Sequence, residues 1–123
     1  MNLKYTDDGT LPELVANLAS LKREGIYWDF KREWHDNKAD LLHDIICMAN
    51  NPAETTGLLI IGVDEEAGYE PTGDADALGK RLVTQNLVDI LRSKKWADGM
   101  PRIRIATIDL RGACVDVVLV DHD

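Results

Sequence analysis

The chain has few of the residues that hold small disulfide-rich or zinc-stabilised domains together. Its 123 residues include only two cysteines, Cys47 and Cys114, which lie far apart and have no metal-ligand spacing. This use of cysteine argues against a disulfide framework and suits a reducing cytosol, so we predict a cytoplasmic protein. Long apolar runs are also missing, because none approaches the roughly 18 residues of a membrane span. We therefore expect no membrane partner.

An excess of positive charge is missing as well. Acidic residues number 22 against 14 basic ones, which leaves a net charge of −8 and argues against a general polyanion-coating protein. The stretch from Ile90 to Arg111 differs, because it holds six bases and two acids. Two interpretations stay open: these bases hold a polyanion on one side of an acidic body, or they only solvate a helix end and a hairpin.

The apolar residues recur at spacings that predict a single domain without internal repeats. The predicted elements are a helix over 11–23, a strand over 26–31, a helix capped by Asn37 that stops near residue 50, a strand over 58–63, a helix over 76–94 and a hairpin of 103–108 with 115–120. The 58–63 strand is apolar on both faces, which is typical of a central strand. The order α-β-α-β-α-β-β predicts an α+β (α/β-like) fold, in which helices pack on a mixed sheet and a hairpin ends the chain.

The densest group of polar residues surrounds the first predicted strand. Asp29 and Lys31 are two residues apart and therefore share a face, opposite the apolar face that holds Trp28. If the strand that ends at Asp64 is its neighbour, Asp64 reaches the same side and Glu24 closes the group. Three converging carboxylates stay ionised at neutral pH only with a cation among them, and Mg²⁺ or Mn²⁺ is a hard divalent ion of the right kind.

Such an ion would activate a water molecule or neutralise the charge that grows on a scissile phosphate, while Lys31 binds that phosphate. The same residues also allow a plainer interpretation, in which a strand carries a solvated ion pair on its outer face. Glu65 or Glu66 replaces Asp64 as the third ligand if the strand ends one residue later.

Three segments together resemble a known family. They are E-G-I-Y-W-D-F-K (24–31), M-A-N-N (48–51) and G-L-L-I-I-G-V-D-E (57–65). From about residue 20 to 120 the chain is similar to the Schlafen AlbA-like family, also described as a divergent ATPase-associated module. That family is marked by an E-x4-E-F-K strand, a helix ending in A-L-A-N, and an I-G-V-D-D strand.

The resemblance implies a nucleic-acid-binding domain. In the nuclease-competent Schlafen proteins it further implies a metal-dependent site that cuts transfer and ribosomal RNA. Matched residue by residue, the acids of that site fall on Glu24, Asp29 and Asp64, and the lysine of the motif falls on Lys31. Because two such lobes form the Schlafen core, the resemblance also implies a homodimer.

The chain departs from the family pattern in three places. Asp29 replaces the usual Glu, which shortens its reach by one methylene group. Residues 51–57 replace a compact turn with a longer acidic loop. The chain stops at Asp123, where the family usually continues, so we expect an excised or shortened domain. No ATP site is predicted, because Gly73 to Lys80 has the wrong spacing for a phosphate-binding loop and Arg81 stands where Ser or Thr must bind magnesium.

The leading prediction is a nucleic-acid-processing domain with a divalent-metal endoribonuclease centre at Glu24, Asp29 and Asp64. Its substrate would be structured RNA such as transfer RNA, in preference to DNA. The bases expected to bind the phosphate backbone are Lys31, Arg92, Lys94, Lys95, Arg102 and Arg104. One rival is a non-catalytic DNA-binding module of a bacterial transcriptional regulator, in which the carboxylates are structural. The other is a protein-interaction domain.

Overall fold

The apolar segments form three α-helices and two sheets among residues 9–96 and 99–121, which a computed structural model describes. The helices are α1 (Leu11–Ser20), α2 (Lys38–Ala49) and α3 (Thr84–Arg92). The strands are β1 (Trp28–Lys31), β2 (Gly57–Ile61), β3 (Val63–Asp64), β4 (Glu70–Pro71), β5 (Arg102–Leu110) and β6 (Ala113–Asp121). Short 3₁₀ turns occupy Glu65–Ala67 and Ala75–Leu78. None of the helices in this described part is long and apolar enough to cross a membrane.

The larger sheet has the strand order β1-β2-β6-β5, in which β1 and β2 are parallel and the other neighbours are antiparallel. All five residues of β2 are buried, because helices cover both faces of this apolar strand. β5 and β6 form the hairpin, and β1 and β5 are the two edges. The predicted α+β fold, with a mixed sheet, a central apolar strand and a C-terminal hairpin, is confirmed.

The sheet separates two apolar cores. α1 packs on one face, where Trp28 and Phe30 of β1 are buried. α2 and α3 pack on the other face, against Leu59 and Ile61 of β2. Because successive side chains of a strand alternate between faces, Asp29 and Lys31 lie on the α2 side of β1. The polar pair therefore stands at the sheet edge beside α2.

The α2/α3 core also contains a buried carboxylate that the sequence patterns did not predict. Asp116 on β6 is 1% exposed. It accepts hydrogen bonds from Nε and Nη2 of Arg81, both at 2.9 Å, from Oγ1 of Thr107 at 2.6 Å and from Nε1 of Trp34 at 2.9 Å. Burial raises the pKa of Asp116, but these hydrogen bonds outweigh it and hold the pKa below its usual range.

Several predicted boundaries need correction. α1 ends at Ser20 rather than near residue 23, and β1 begins at Trp28, which leaves Ile26 58% exposed. The helix predicted over 76–94 is wrong in its first half, where a 3₁₀ turn ends at Gly79, whose φ is +76°. The strand predicted over 58–63 is interrupted at Gly62, whose φ is +114°. Glycines with positive φ break the regular hydrogen-bond pattern at both places, although the apolar pattern continues through them.

Candidate functional site

Glu24 is placed by a tight corner that wraps around Trp28. The amide of Gly25 donates to the carbonyl of Trp28 at 3.1 Å, and Nε1 of Trp28 donates to the carbonyl of Arg23 at 2.9 Å. The Arg23 guanidinium lies 5.4 Å from the centre of the Trp28 ring, within the range of a cation–π contact. These contacts hold the residues before β1 against its buried tryptophan, and so they hold Glu24 at the start of the strand.

Gly25→Ala should disrupt this corner. A Cβ atom at residue 25 would lie 2.1 Å from atoms of the Trp28 ring, so either the ring or the corner must move. We expect a loss of about 1 to 3 kcal/mol in the free energy of unfolding, as for other overpacked sites, together with a change in tryptophan fluorescence. Urea unfolding followed by fluorescence measures both. Gly68→Ala is the control, since a Cβ there meets nothing within 4 Å and only its left-handed backbone costs energy. An equal fluorescence change in both variants would contradict the prediction.

Asp29 and Lys31 form an ion pair at the open edge of the sheet. Oδ1 of Asp29 accepts a hydrogen bond from the amide of Phe30 at 2.9 Å, and Oδ2 lies 3.4 Å from Nζ of Lys31. Within the described residues β1 pairs only with β2, so the amide of Phe30 on the outer side of β1 bonds the Asp29 carboxylate instead of another strand. Asp29 is thus anchored through one oxygen and paired through the other.

The structure brings Glu24 and Asp29 into direct contact. A hydrogen bond with Asp29 is the largest cause that raises the pKa of Glu24 to about 8, followed by burial, the charge of Asp29 and a hydrogen bond with Glu65. Two carboxyl groups this close cannot both ionise easily, so they retain a proton between them. Glu24 is therefore largely protonated at neutral pH.

The third carboxyl group of this cluster comes from Glu65. Oδ1 of Asp64 accepts a hydrogen bond from the amide of Glu66 at 3.0 Å and so caps the 3₁₀ turn that follows it. Both Asp64 and Glu65 line, with Lys31, an open cavity of about 260 Å³ beside β1. A hydrogen bond between Glu65 and Glu24 helps to raise the pKa of Glu24. The segment before β1 and the 3₁₀ turn after β3 therefore meet, and the geometry of this turn brings Glu65 to Glu24.

Tyr69 is a further member of the site that sequence reasoning missed. Its ring packs edge-on against Phe30, with centroids 5.3 Å apart. Partial burial, and then the charges of Glu65, Glu24 and Asp29, raise the pKa of the Tyr69 hydroxyl. No spacing in the sequence indicates this tyrosine, because it reaches the site through the turn formed by β3 and β4.

The donor chemistry of the cluster fits a hard divalent cation. Glu24, Asp29 and Glu65 offer carboxyl oxygens, and their crowding raises the pKa of one of them, which a cation would relieve. Across residues 9–96 and 99–121, no three His, Cys, Asp or Glu side chains already stand in a metal-binding geometry. Glu24 would have to lose its proton before it coordinates an ion.

The predicted backbone-binding residues are divided between the two sides of the sheet. Arg102 and Arg104 are exposed on β5, on the side that α1 covers. Arg92, Lys94 and Lys95 lie at or just after the end of α3, on the other side. β5 is the edge opposite β1, three strand spacings or about 14 Å away. Of the predicted bases, only Lys31 lies in the carboxyl cluster.

These features define an α+β domain that presents an acidic cluster and one lysine at an open sheet edge. A family model described as Schlafen, AlbA_2 matches residues 24–122, and the chain belongs to this family. Membership indicates a nucleic-acid-binding domain. The chain matches no curated protein.

Proposed function

We propose that this domain is a divalent-metal-dependent endonuclease that cuts structured RNA such as transfer RNA. The observation that supports the proposal most is the contact between Glu24 and Asp29, which raises the pKa of Glu24 to about 8. Carboxyl groups forced together are costly unless a cation or a shared proton relieves them. Lys31, 3.4 Å from Asp29, adds a positive group at the same place.

The residues of the cluster have distinct roles in this proposal. Glu24, Asp29 and a third acid would hold Mg²⁺ or Mn²⁺, which supplies Lewis-acid stabilisation and an activated water molecule when bound. Lys31 would bind an oxygen of the phosphate that is cut. Phe30 keeps Asp29 in place through its backbone amide. The exposed bases Arg102 and Arg104, on the opposite edge, would contact phosphates far from the cut.

The direct test is cleavage of transfer RNA, single-stranded DNA and double-stranded DNA in Mn²⁺, Mg²⁺ or EDTA. We expect cleavage of transfer RNA with either ion, none in EDTA, and none by the Glu24→Ala/Asp29→Ala double variant. Glu13→Gln removes a charge from the exposed first turn of α1, outside the cluster, and should keep full activity. Cleavage that survives EDTA or the double variant would contradict the proposal. Sedimentation of the same sample tests the predicted homodimer.

The identity of the third acid can be tested separately. We expect Glu65→Gln to reduce metal affinity more than Asp64→Asn, because Glu65 contacts Glu24 whereas Asp64 caps a backbone amide. Isothermal titration with Mn²⁺ measures both affinities. A larger loss of affinity in Asp64→Asn would mean that Asp64 is the third ligand, as the family resemblance implies.

A non-catalytic nucleic-acid-binding module is the second candidate. It is favoured by the two partners that Asp29 already has, the Phe30 amide and the Lys31 ammonium, which give this acid a structural role. Under this alternative, RNA or DNA binds with a salt-sensitive affinity and is not cut with any metal. The affinity would then be the same in the double variant as in the native protein.

A further inference from the structure

Lys31 is held between carboxylates from two different elements. Its Nζ atom lies 3.4 Å from Oδ2 of Asp29 on β1 and 3.7 Å from Oδ2 of Asp44 on α2. A direct bond between an ammonium and a carboxylate is shorter, about 2.7 to 2.9 Å. Lys31 is therefore shared between the two acids rather than bonded fully to either, and its side chain remains 37% exposed.

Asp44 is itself fixed by a buried histidine. Nε2 of His35 lies 2.6 Å from Oδ2 of Asp44, and the His35 side chain is only 8% exposed. Nδ1 of His35 is buried and has no hydrogen-bond partner in the described part of the chain. A proton on Nδ1 would be buried without an acceptor, so the favoured tautomer carries its proton on Nε2 and donates it to Asp44.

This geometry excludes a direct catalytic role for His35, since one ring nitrogen is bonded to Asp44 and the other is buried. Instead, His35 keeps the Asp44 carboxylate in place, and the negative charge of Asp44 attracts Lys31 toward α2. Asn37 fixes the start of α2 by accepting hydrogen bonds from the amides of Ala39 and Asp40, so the helix that carries Asp44 is itself anchored.

We propose that Asp44, held by His35, is a positioning residue that keeps the Lys31 ammonium from closing onto Asp29. Without Asp44, the ammonium would bond Asp29 at full strength and compete with a cation for its Oδ2 atom. With Asp44 in place, Asp29 stays accessible to the cation and Lys31 stays accessible to a phosphate. This inference rests on the proposed metal-dependent nuclease.

The test compares Asp44→Asn with Asp40→Asn, which removes the same charge from the exposed first turn of α2. In Asp44→Asn we expect Mn²⁺ affinity to fall by about fivefold, the size of one partly exposed ion pair. At saturating Mn²⁺, KM for transfer RNA should rise by a similar factor of about five while kcat changes less than about twofold, because Lys31 is misplaced before the chemical step. Asp40→Asn should leave all three values unchanged.

His35 provides the second part of the test. His35→Leu should reproduce the changes of Asp44→Asn, whereas His35→Gln, whose amide can donate to Asp44, should restore values close to those of the native protein. Thermal unfolding checks that each variant is folded at the assay temperature.

The outcomes separate this inference from the proposed function. A native protein that neither binds Mn²⁺ nor cuts RNA would overturn both. Native binding and cleavage with equal values for Asp44→Asn and Asp40→Asn would overturn the role of Asp44 alone. Equal losses in folded His35→Leu and His35→Gln would also overturn it, because the hydrogen bond to Asp44 would then not be the cause.

Discussion

Replacing Arg81 with methionine is expected to lower the free energy of unfolding by about 3 kcal/mol at pH 7. The substitution removes two hydrogen bonds and the counter-charge from Asp116, which is buried in the α2/α3 core. An uncompensated buried charge usually costs about 3 to 5 kcal/mol. We place this case at the lower end because the Arg81 side chain is 37% exposed, so water can reach the carboxylate once the guanidinium is gone.

The pH dependence of this loss has a defined sign. The pKa of Asp116 in the folded protein is below its ordinary value of 3.8. The stabilisation is therefore fully present above about pH 4 and is lost as the pH falls through the lowered pKa. Removal of Arg81 should accordingly cost less in acid, where Asp116 can be protonated.

Urea unfolding of the native protein and of Arg81→Met at pH 7 and at about pH 3 measures this effect, and the melting temperature of the variant at pH 7 should be lower by roughly 10 °C or more. Arg92→Met is the matched control, because Arg92 is an exposed base at the end of α3 and should contribute about 0.5 kcal/mol or less. A loss of the same size in the two variants would show that Asp116 does not depend on Arg81.

The elements with strong local signals were predictable from the sequence. β2 is apolar on both faces and is central, and Asn37 caps α2 with its side chain. The helix predicted over 76–94 was wrong in part because apolar residues at helical spacing continue through Gly79. The positive φ of that glycine ends the 3₁₀ turn, and Leu78 is buried near β6 without being part of an α-helix. Periodicity marks apolar positions but does not show whether the backbone between them is helical, and Val83 in this stretch stays 64% exposed.

The sequence predicts which segments form the candidate site, but not which side chains of those segments contact each other. The strand and the acidic run after β2 were expected to meet, and the contact between Glu24 and Glu65 shows that they do. The choice of Glu65 over Asp64 depends on the cap of a three-residue turn, which has no periodic signal. Asp116 was missed for a different reason: its partners Trp34 and Arg81 lie 82 and 35 residues away in the chain.

The affinity for Mn²⁺ is expected to fall by about 50-fold between pH 8 and pH 6, with a slope that approaches tenfold per pH unit well below pH 8. Glu24 has a pKa of about 8 and holds a proton against Asp29 below that value. A cation can bind the carboxylate only after displacing this proton, and each pH unit adds about 1.4 kcal/mol to that cost. Carboxyl groups with ordinary pKa values near 4 are ionised throughout this range and add almost no slope.

Glu24→Gln separates this effect from other causes of pH dependence. The glutamine amide can keep the hydrogen bond to Asp29 at every pH but cannot ionise, so the variant should bind Mn²⁺ weakly and with no slope between pH 6 and pH 8. Glu13→Gln, which removes a charge outside the cluster, should keep both the affinity and the slope of the native protein. Isothermal titration at three pH values measures all of these quantities, and also the number of protons released on binding, which should approach one at pH 6.

A native affinity for Mn²⁺ that does not change over this pH range would mean that Glu24 does not ligate the ion. The metal would then have to be held by Asp29 and the acids of the turn after β3, and the contact between Glu24 and Asp29 would be a structural hydrogen bond.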